Sequence, residues 1–148
     1  MAEKFVYVTY IRTTAEKLWE ALTKPELTRQ YWFGTHHETD WKPRSPWKLV
    51  FADGRVADAG EVLEAEPPKH LVLKWRNEFM PEMKAEGFTR CVFELGRADN
   101  AVKLTVTHTI DRDGSKFVAA VSTGWPAVLS SLKSLLETGE ALERPESP

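Results

Sequence analysis

The chain opens on Phe5, Val6, Tyr7, Val8, Thr9, Tyr10 and Ile11, a run of aromatic and β-branched residues that predicts a strand over residues 5–11. Both of its faces are apolar, so cover on both sides is expected. The period then lengthens. Ala15, Leu18, Trp19 and Leu22 recur at helical spacing behind a capping box formed by Thr13 and Glu16. Thr23 and Glu26 repeat that signature with Pro25 at a first-turn position, and Leu27, Tyr31 and Trp32 form a second short helix closed by Gly34.

From residue 35 to about residue 110 the pattern alternates with period two. Trp47, Leu49 and Phe51 share one face, and Asp53-Gly54 turns the chain into a return strand over residues 55–65 that Pro67-Pro68 ends. Leu71, Leu73 and Trp75, then Cys91, Phe93 and Leu95, then Val102, Leu104, Val106, His108 and Ile110 mark three further strands. Between the first two of these lies a polar loop over residues 77–87, interrupted by Phe79, Met80 and Met83. Behind an N-cap at Asp113 or Ser115, Val118, Val121, Trp125, Val128, Leu129, Leu132, Leu135 and Leu136 form a continuous helical stripe ending at Gly139. Pro126 predicts a kink or a restart within it. Strands grouped between helices indicate an α+β fold with an antiparallel sheet of six to seven strands, against which the long C-terminal helix buries its stripe. One domain is expected over residues 1–142, with a frayed tail over residues 143–148.

Length and composition agree with that picture. The 148 residues carry 20 Lys and Arg against 22 Asp and Glu, a net charge of −2, which argues against a dedicated nucleic-acid binder. Six Trp, seven Phe and three Tyr are a heavy aromatic load, suited to a bulky core, an aromatic-lined cavity or both. A single cysteine excludes an intramolecular disulfide, and neither a secretory signal nor a membrane-length apolar stretch is seen, so a cytoplasmic protein is expected.

Catalytic signals are sparse. Ser130, Ser131 and Ser134 lack a nucleophile elbow and read as solvated helix serines; Cys91 reads as a buried structural thiol. Adjacent His36 and His37 point to opposite faces of any strand and read as a solvated pair, so no metal site is assigned. Asp58 and Glu64 read as a solvated strand face rather than a catalytic dyad. No glycine-rich phosphate loop is present, and no cofactor is expected. The apolar architecture is richer. Trp75, Phe93, Leu104, Val106, Val121, Trp125 and Leu129 should face the space between sheet and helix. Phe79, Met80 and Met83 can lid its mouth, Trp32 and Phe33 close the opposite rim, and His108, with Tyr7 or Arg90, supplies polar orientation.

Several segments together resemble the activator of Hsp90 ATPase branch of the START-like, Bet v 1-like (SRPBCC) superfamily. They are LWEALTKPEL from Leu18, YWFG from Tyr31, GEVLEAEPPKHLVLKW from Gly60, AVKLTVTHT from Ala101 and GWPAVLSSLKSLLETG from Gly124. The branch usually has a tryptophan pair before the glycine; here the second is Phe33. The resemblance spans residues 3–140 and implies a helix-grip fold with an internal hydrophobic cavity. It implies no single activity, since the superfamily holds carriers, cyclases and chaperone regulators. Three functions follow as expectations: a non-enzymatic binder of a small hydrophobic molecule (lipid, sterol-like or aromatic), a cyclase- or hydrolase-like enzyme using a cavity polar group such as His108, and a protein–protein module acting on a chaperone or transcription regulator.

Overall fold

The computed structural model describes residues 2–143; of the tail expected over residues 143–148, only exposed Glu143 lies among them. Seven strands, β1 (Glu3–Ile11), β2 (His36–Glu38), β3 (Pro46–Val50), β4 (Val56–Glu66), β5 (His70–Asn77), β6 (Thr89–Ala98) and β7 (Ala101–Ile110), form one curved antiparallel sheet. Their order across it is β1-β7-β6-β5-β4-β3-β2. Helices α1 (Ala15–Thr23) and α2 (Pro25–Tyr31) bridge β1 to β2; α3 (Pro81–Lys84) is one turn in the β5–β6 connection; α4 (Lys116–Thr138) lies in the grip of the sheet. This is the α+β helix-grip architecture that the period-two strands and the long apolar stripe predict.

The core is the inner face of the sheet against α4. Leu71, Leu73 and Trp75 on β5, Cys91, Phe93 and Leu95 on β6, and Val102, Leu104, Val106 and His108 on β7 are buried with Trp125, Val128, Leu129 and Leu132. Burial pushes the Cys91 thiol pKa up, so it stays protonated and packs as a small apolar group. Ser115 caps α4 by accepting from the Val118 N–H at 3.0 Å, and Gly139 closes it in the left-handed conformation at φ +88°.

Local details differ from expectation. β1 is an edge strand covered on one face alone: Val6, Val8 and Tyr10 are 46%, 44% and 51% exposed. The cap of α1 is Thr14, not Thr13, its hydroxyl accepting from the Lys17 N–H at 3.2 Å. Thr23 caps nothing, because its hydroxyl donates to the Trp19 carbonyl, and α2 starts on Lys24 without a side-chain cap. Pro126 does not restart α4, which is continuous from Lys116 to Thr138; hydroxyls of Ser122 and Thr123 donate to carbonyls of the preceding turn. Ser131 is buried rather than solvated, its hydroxyl accepting from the Leu142 N–H at 3.1 Å and pinning the chain after α4.

Candidate functional site

Helix and sheet do not close completely. A cavity of about 200 Å³ remains, walled on the sheet side by Leu49, Asp58, Trp75 and Asn77 and on the α4 side by Phe117, Ala120, Val121, Gly124, Trp125 and Val128. Trp32, Phe79 and Met83 complete its rim. A second lobe of about 320 Å³ shares Trp32, Leu49, Asp58, Phe79, Gly124 and Val128 and extends to Phe33, Thr35, Phe51, Ala57 and Ala127.

The α4 side is open because Gly124 has no side chain. A Cβ placed there would meet nothing within 4 Å. On the sheet side, β4 and β5 approach closely at Gly60, which pairs with Trp75. A Cβ at Gly60 would lie 1.8 Å from the Lys74 carbonyl oxygen, so only glycine fits that crossing.

The aromatic wall is a connected cluster. Trp32 lies 6.2 Å from Trp75 and 5.3 Å from Trp125, and Trp75 lies 5.8 Å from Trp125, ring centre to ring centre. Behind it stands His108, whose hydrogen bonds form one ordered chain. The Trp125 indole N–H donates to His108 Nδ1 at 3.2 Å, which leaves the ring proton on Nε2. Nε2 in turn meets Thr89 Oγ1 at 2.7 Å, and the Thr89 hydroxyl donates to the Trp75 carbonyl at 2.8 Å. Burial lowers the His108 pKa to about 3, so the ring is neutral. His108 is therefore not a cavity-lining group. It holds Trp125 and the Trp75 backbone in place.

His37 does the same on the other side. It is buried rather than solvated, with Nδ1 accepting from the Trp47 indole N–H at 2.9 Å and rings of Trp32, Trp41 and Trp47 packed around it. Burial first, then the neighbouring His36, lowers its pKa to about 3. His36 pairs instead with Glu38 at 3.0 Å. Among the described residues no three His, Cys, Asp or Glu side chains are grouped to hold a metal ion.

Of the residues expected to line a cavity, Trp32, Phe33, Trp75, Phe79, Val121 and Trp125 do line these two lobes. Phe93, Leu104, Val106, His108 and Leu129 are packed core behind them, Tyr7 stacks on Phe5 within β1, and Met80 is the turn that starts α3. Arg90 reaches Glu64 on the outer face. Strand phase is right for the core residues, but a filled interior and a lined cavity share the same face, and alternation does not separate them.

Alternation with Glu64 predicts a solvated face for Asp58, and the structure differs. A register shift between Val62 and Glu64 puts the two on different faces, and Asp58 is 7% exposed on the cavity wall. Burial raises its pKa to about 7, with the Trp75 indole N–H opposing the rise and the Glu78 charge adding to it. That indole N–H has no hydrogen-bond partner; it faces the carboxyl without closing the bond. Asp58 is the one titratable side chain on the lining of either lobe among the described residues.

The loop over residues 77–87 is anchored at both ends. Asn77 Oδ1 accepts from the Met80 N–H at 2.8 Å. Glu86 accepts from the Ser115 hydroxyl at 2.6 Å and from the Lys116 N–H at 2.7 Å, at the N-terminus of α4. Burial works against the Glu86 charge, but these bonds win and hold its pKa low. Between the anchors Phe79 stands 49% exposed, edge-on to Phe51 at 5.2 Å.

A long helix gripped by a seven-stranded antiparallel sheet defines the SRPBCC class of fold. The chain belongs within it to the activator of Hsp90 ATPase homolog 1-like family, whose model matches residues 12–137. Solved structures agree on the fold. Protein MLL2253 from Mesorhizobium loti is 23% identical, with a TM-score of 0.78 over 91% of this chain and 97% of that one. The Aha1 dimer from Colwellia psychrerythraea is 22% identical, with a TM-score of 0.76 over 94% and 99%. An HSP90 activator from Plasmodium falciparum is 21% identical, with a TM-score of 0.66 over 82% and 86%. No curated protein matches the sequence.

Proposed function

We propose that this chain, as a single domain over residues 1–142, is a non-enzymatic binder of a small hydrophobic or amphipathic molecule seated between the sheet and α4. The observation that carries the reading is the cavity itself, held open by Gly124 on one wall and faced by Trp32, Trp75 and Trp125. An apolar cavity of about 150 Å³ holds one benzene, and drug-sized pockets start near 300 Å³. The inner lobe, at about 200 Å³, suits one or two rings better than a sterol, with the outer lobe free to take a tail. Apolar burial, at about 25 cal/mol per Å² before ordering costs, supplies the affinity. Phe79 and Met83 gate entry, and the lone carboxyl without a neighbouring nucleophile or base favours holding over turnover.

The test is an amide-shift titration with one- and two-ring aromatics and with fatty acids, on the native chain and on Gly124→Leu. Saturable shifts around α4 and β5 in the native chain, lost in the variant, support the reading. Absence of shifts at millimolar ligand refutes it.

A second reading, a module that docks on a chaperone in the cytoplasm, is favoured by one observation: the exposed apolar face of β1 formed by Val6, Val8 and Tyr10. Val8→Glu abolishing capture by purified Hsp90, with the cavity variant still captured, would support it.

A further inference from the structure

The cavity has one polar edge, and its parts are cross-strand neighbours. Asp58 on β4 pairs directly with Asn77 on β5, and both line the inner lobe. Asn77 is not free to flip, because its Oδ1 accepts from the Met80 N–H at 2.8 Å. Its amide NH2 therefore points away from that bond, which is the one side-chain hydrogen bond of Asn77 among the described residues. Asp58 has no ion-pair partner among the described residues, and Glu78, whose charge acts on it, is itself paired with Arg76 and Lys84. The buried Trp75 indole N–H, which has no hydrogen-bond partner, favours the charged carboxyl, and the Glu78 charge opposes it.

We propose that Asp58 and Asn77 form an acceptor–donor pair that reads a hydroxyl group on an aromatic ligand. The inference rests on the cavity-binding reading above and names its ligand class. A hydroxyl donates one hydrogen bond and accepts others, so it can give its proton to the Asp58 carboxylate while its oxygen receives the Asn77 N–H. An ammonium has donors alone and would confront the Asn77 NH2. A carboxylate has acceptors alone and would confront Asp58. A plain hydrocarbon would leave both polar groups buried and unpaired, which costs more than the missing contact itself. The rings of Trp32, Trp75 and Trp125 and the volume of the inner lobe set the body of the ligand as one or two aromatic rings.

The protonation state of Asp58 gives the proposal a pH signature. The other groups around it are Glu78, already paired, and the apolar residues of β3, α4 and the rim, Leu49, Val121, Gly124, Val128 and Trp32, none of which titrates. A hydroxyl bonded to a carboxylate is a charge-assisted contact, stronger than one to the neutral acid. Discrimination in favour of the hydroxyl therefore grows as pH rises through about 7.

The experiment measures dissociation constants for naphthalene, 2-naphthol and 2-naphthylmethylammonium at pH 6 and pH 8. It uses the native chain, Asp58→Asn and Asp58→Leu. Asp58→Asn keeps the shape and guards against a folding artefact in Asp58→Leu. The native chain is expected to prefer 2-naphthol over naphthalene by roughly tenfold at pH 8, the worth of one charged hydrogen bond. That preference should fall by about threefold at pH 6, lose its pH dependence in Asp58→Asn, and vanish in Asp58→Leu. Equal binding of naphthol and naphthalene by the native chain, a preference surviving in Asp58→Leu, or tighter binding of the ammonium would overturn the hydroxyl assignment while leaving the binding pocket standing. Failure of all three probes to bind would remove the pocket reading along with it.

Discussion

The Trp125 indole N–H donates to Nδ1 of His108 at 3.2 Å, so the helix wall of the cavity is fastened to the sheet through a neutral, fully buried histidine. His108→Phe keeps the ring volume and removes both bonds. It leaves the buried Trp125 N–H without its acceptor, while the Thr89 hydroxyl keeps the Trp75 carbonyl, at a cost of about 1–3 kcal/mol in stability. Urea denaturation with an unchanged m-value checks this. Ligand affinity should fall as well, because Trp125 loses its fixed orientation; an undiminished affinity would make His108 a core residue and nothing more.

Acid should weaken the fold through the two buried histidines. Their pKa values in the native state are about 3, against 6.5 when unfolded, so unfolding takes up protons between those limits. Their stabilising contribution is complete above pH 6.5 and drains away as pH falls toward 3. Asp58 acts in the opposite sense. Its native value of about 7 exceeds its unfolded value of 3.8, so it costs stability progressively as pH rises from about 4 to 7, and the cost is constant above that. Asp58→Asn should therefore be nearly neutral at pH 4 and stabilising by roughly 4 kcal/mol at pH 8, at about 1.4 kcal/mol per pKa unit. Thermal melts across pH 4–8 read the divergence. Parallel curves for the two proteins would show that Asp58 is solvated.

Phe79 lines both lobes of the cavity, half-exposed and edge-on to Phe51. Phe79→Ala should change stability by less than about 1 kcal/mol. It should raise both association and dissociation rates of a bound aromatic, measured by stopped-flow tryptophan fluorescence. A change in dissociation alone would assign Phe79 to the binding wall instead of the entrance.

Gly60 is a backbone requirement. With the Lys74 carbonyl oxygen 1.8 Å from any Cβ there, Gly60→Ala must push β4 and β5 apart. Destabilisation of roughly 2–4 kcal/mol is expected in chemical denaturation, together with weaker ligand binding because Trp75 is the partner of Gly60 and Asp58 lies two residues away on β4. A near-neutral effect would mean that the strands separate easily there.

Much of this was legible in residue patterns. Alternation through β5, β6 and β7 placed Leu73, Phe93 and Val106 inward, and the stripe from Val118 to Leu136 placed α4 against them. The resemblance carried by YWFG and GWPAVLSSLK agrees with the family. What escaped depended on single-residue geometry. The register shift after Val62 moved Asp58 off the face it was assigned by counting. Three-residue β2 is too short to show a period, so the burial of His37 beneath three tryptophans left no trace in sequence. His108 was assigned the correct face, but whether it met ligand or a tryptophan N–H depended on α4 crossing directly over it. The apolar outer face of β1 suggested cover that an edge position does not provide.

The central claim is that the space beneath Gly124 is a binding cavity. The six indole N–H resonances of the chain test it most directly, in a 1H–15N titration with naphthalene on the native protein and on Gly124→Leu. Leucine at that position has room to enter the cavity and replaces a helical glycine, so the variant should fold at least as stably as the native chain. The account predicts that Trp32, Trp75 and Trp125 shift saturably in the native protein while Trp19 stays put, and that none of them responds in Gly124→Leu. Unmoved indole signals in the native protein at saturating naphthalene, or the same shifts in both proteins, would contradict it.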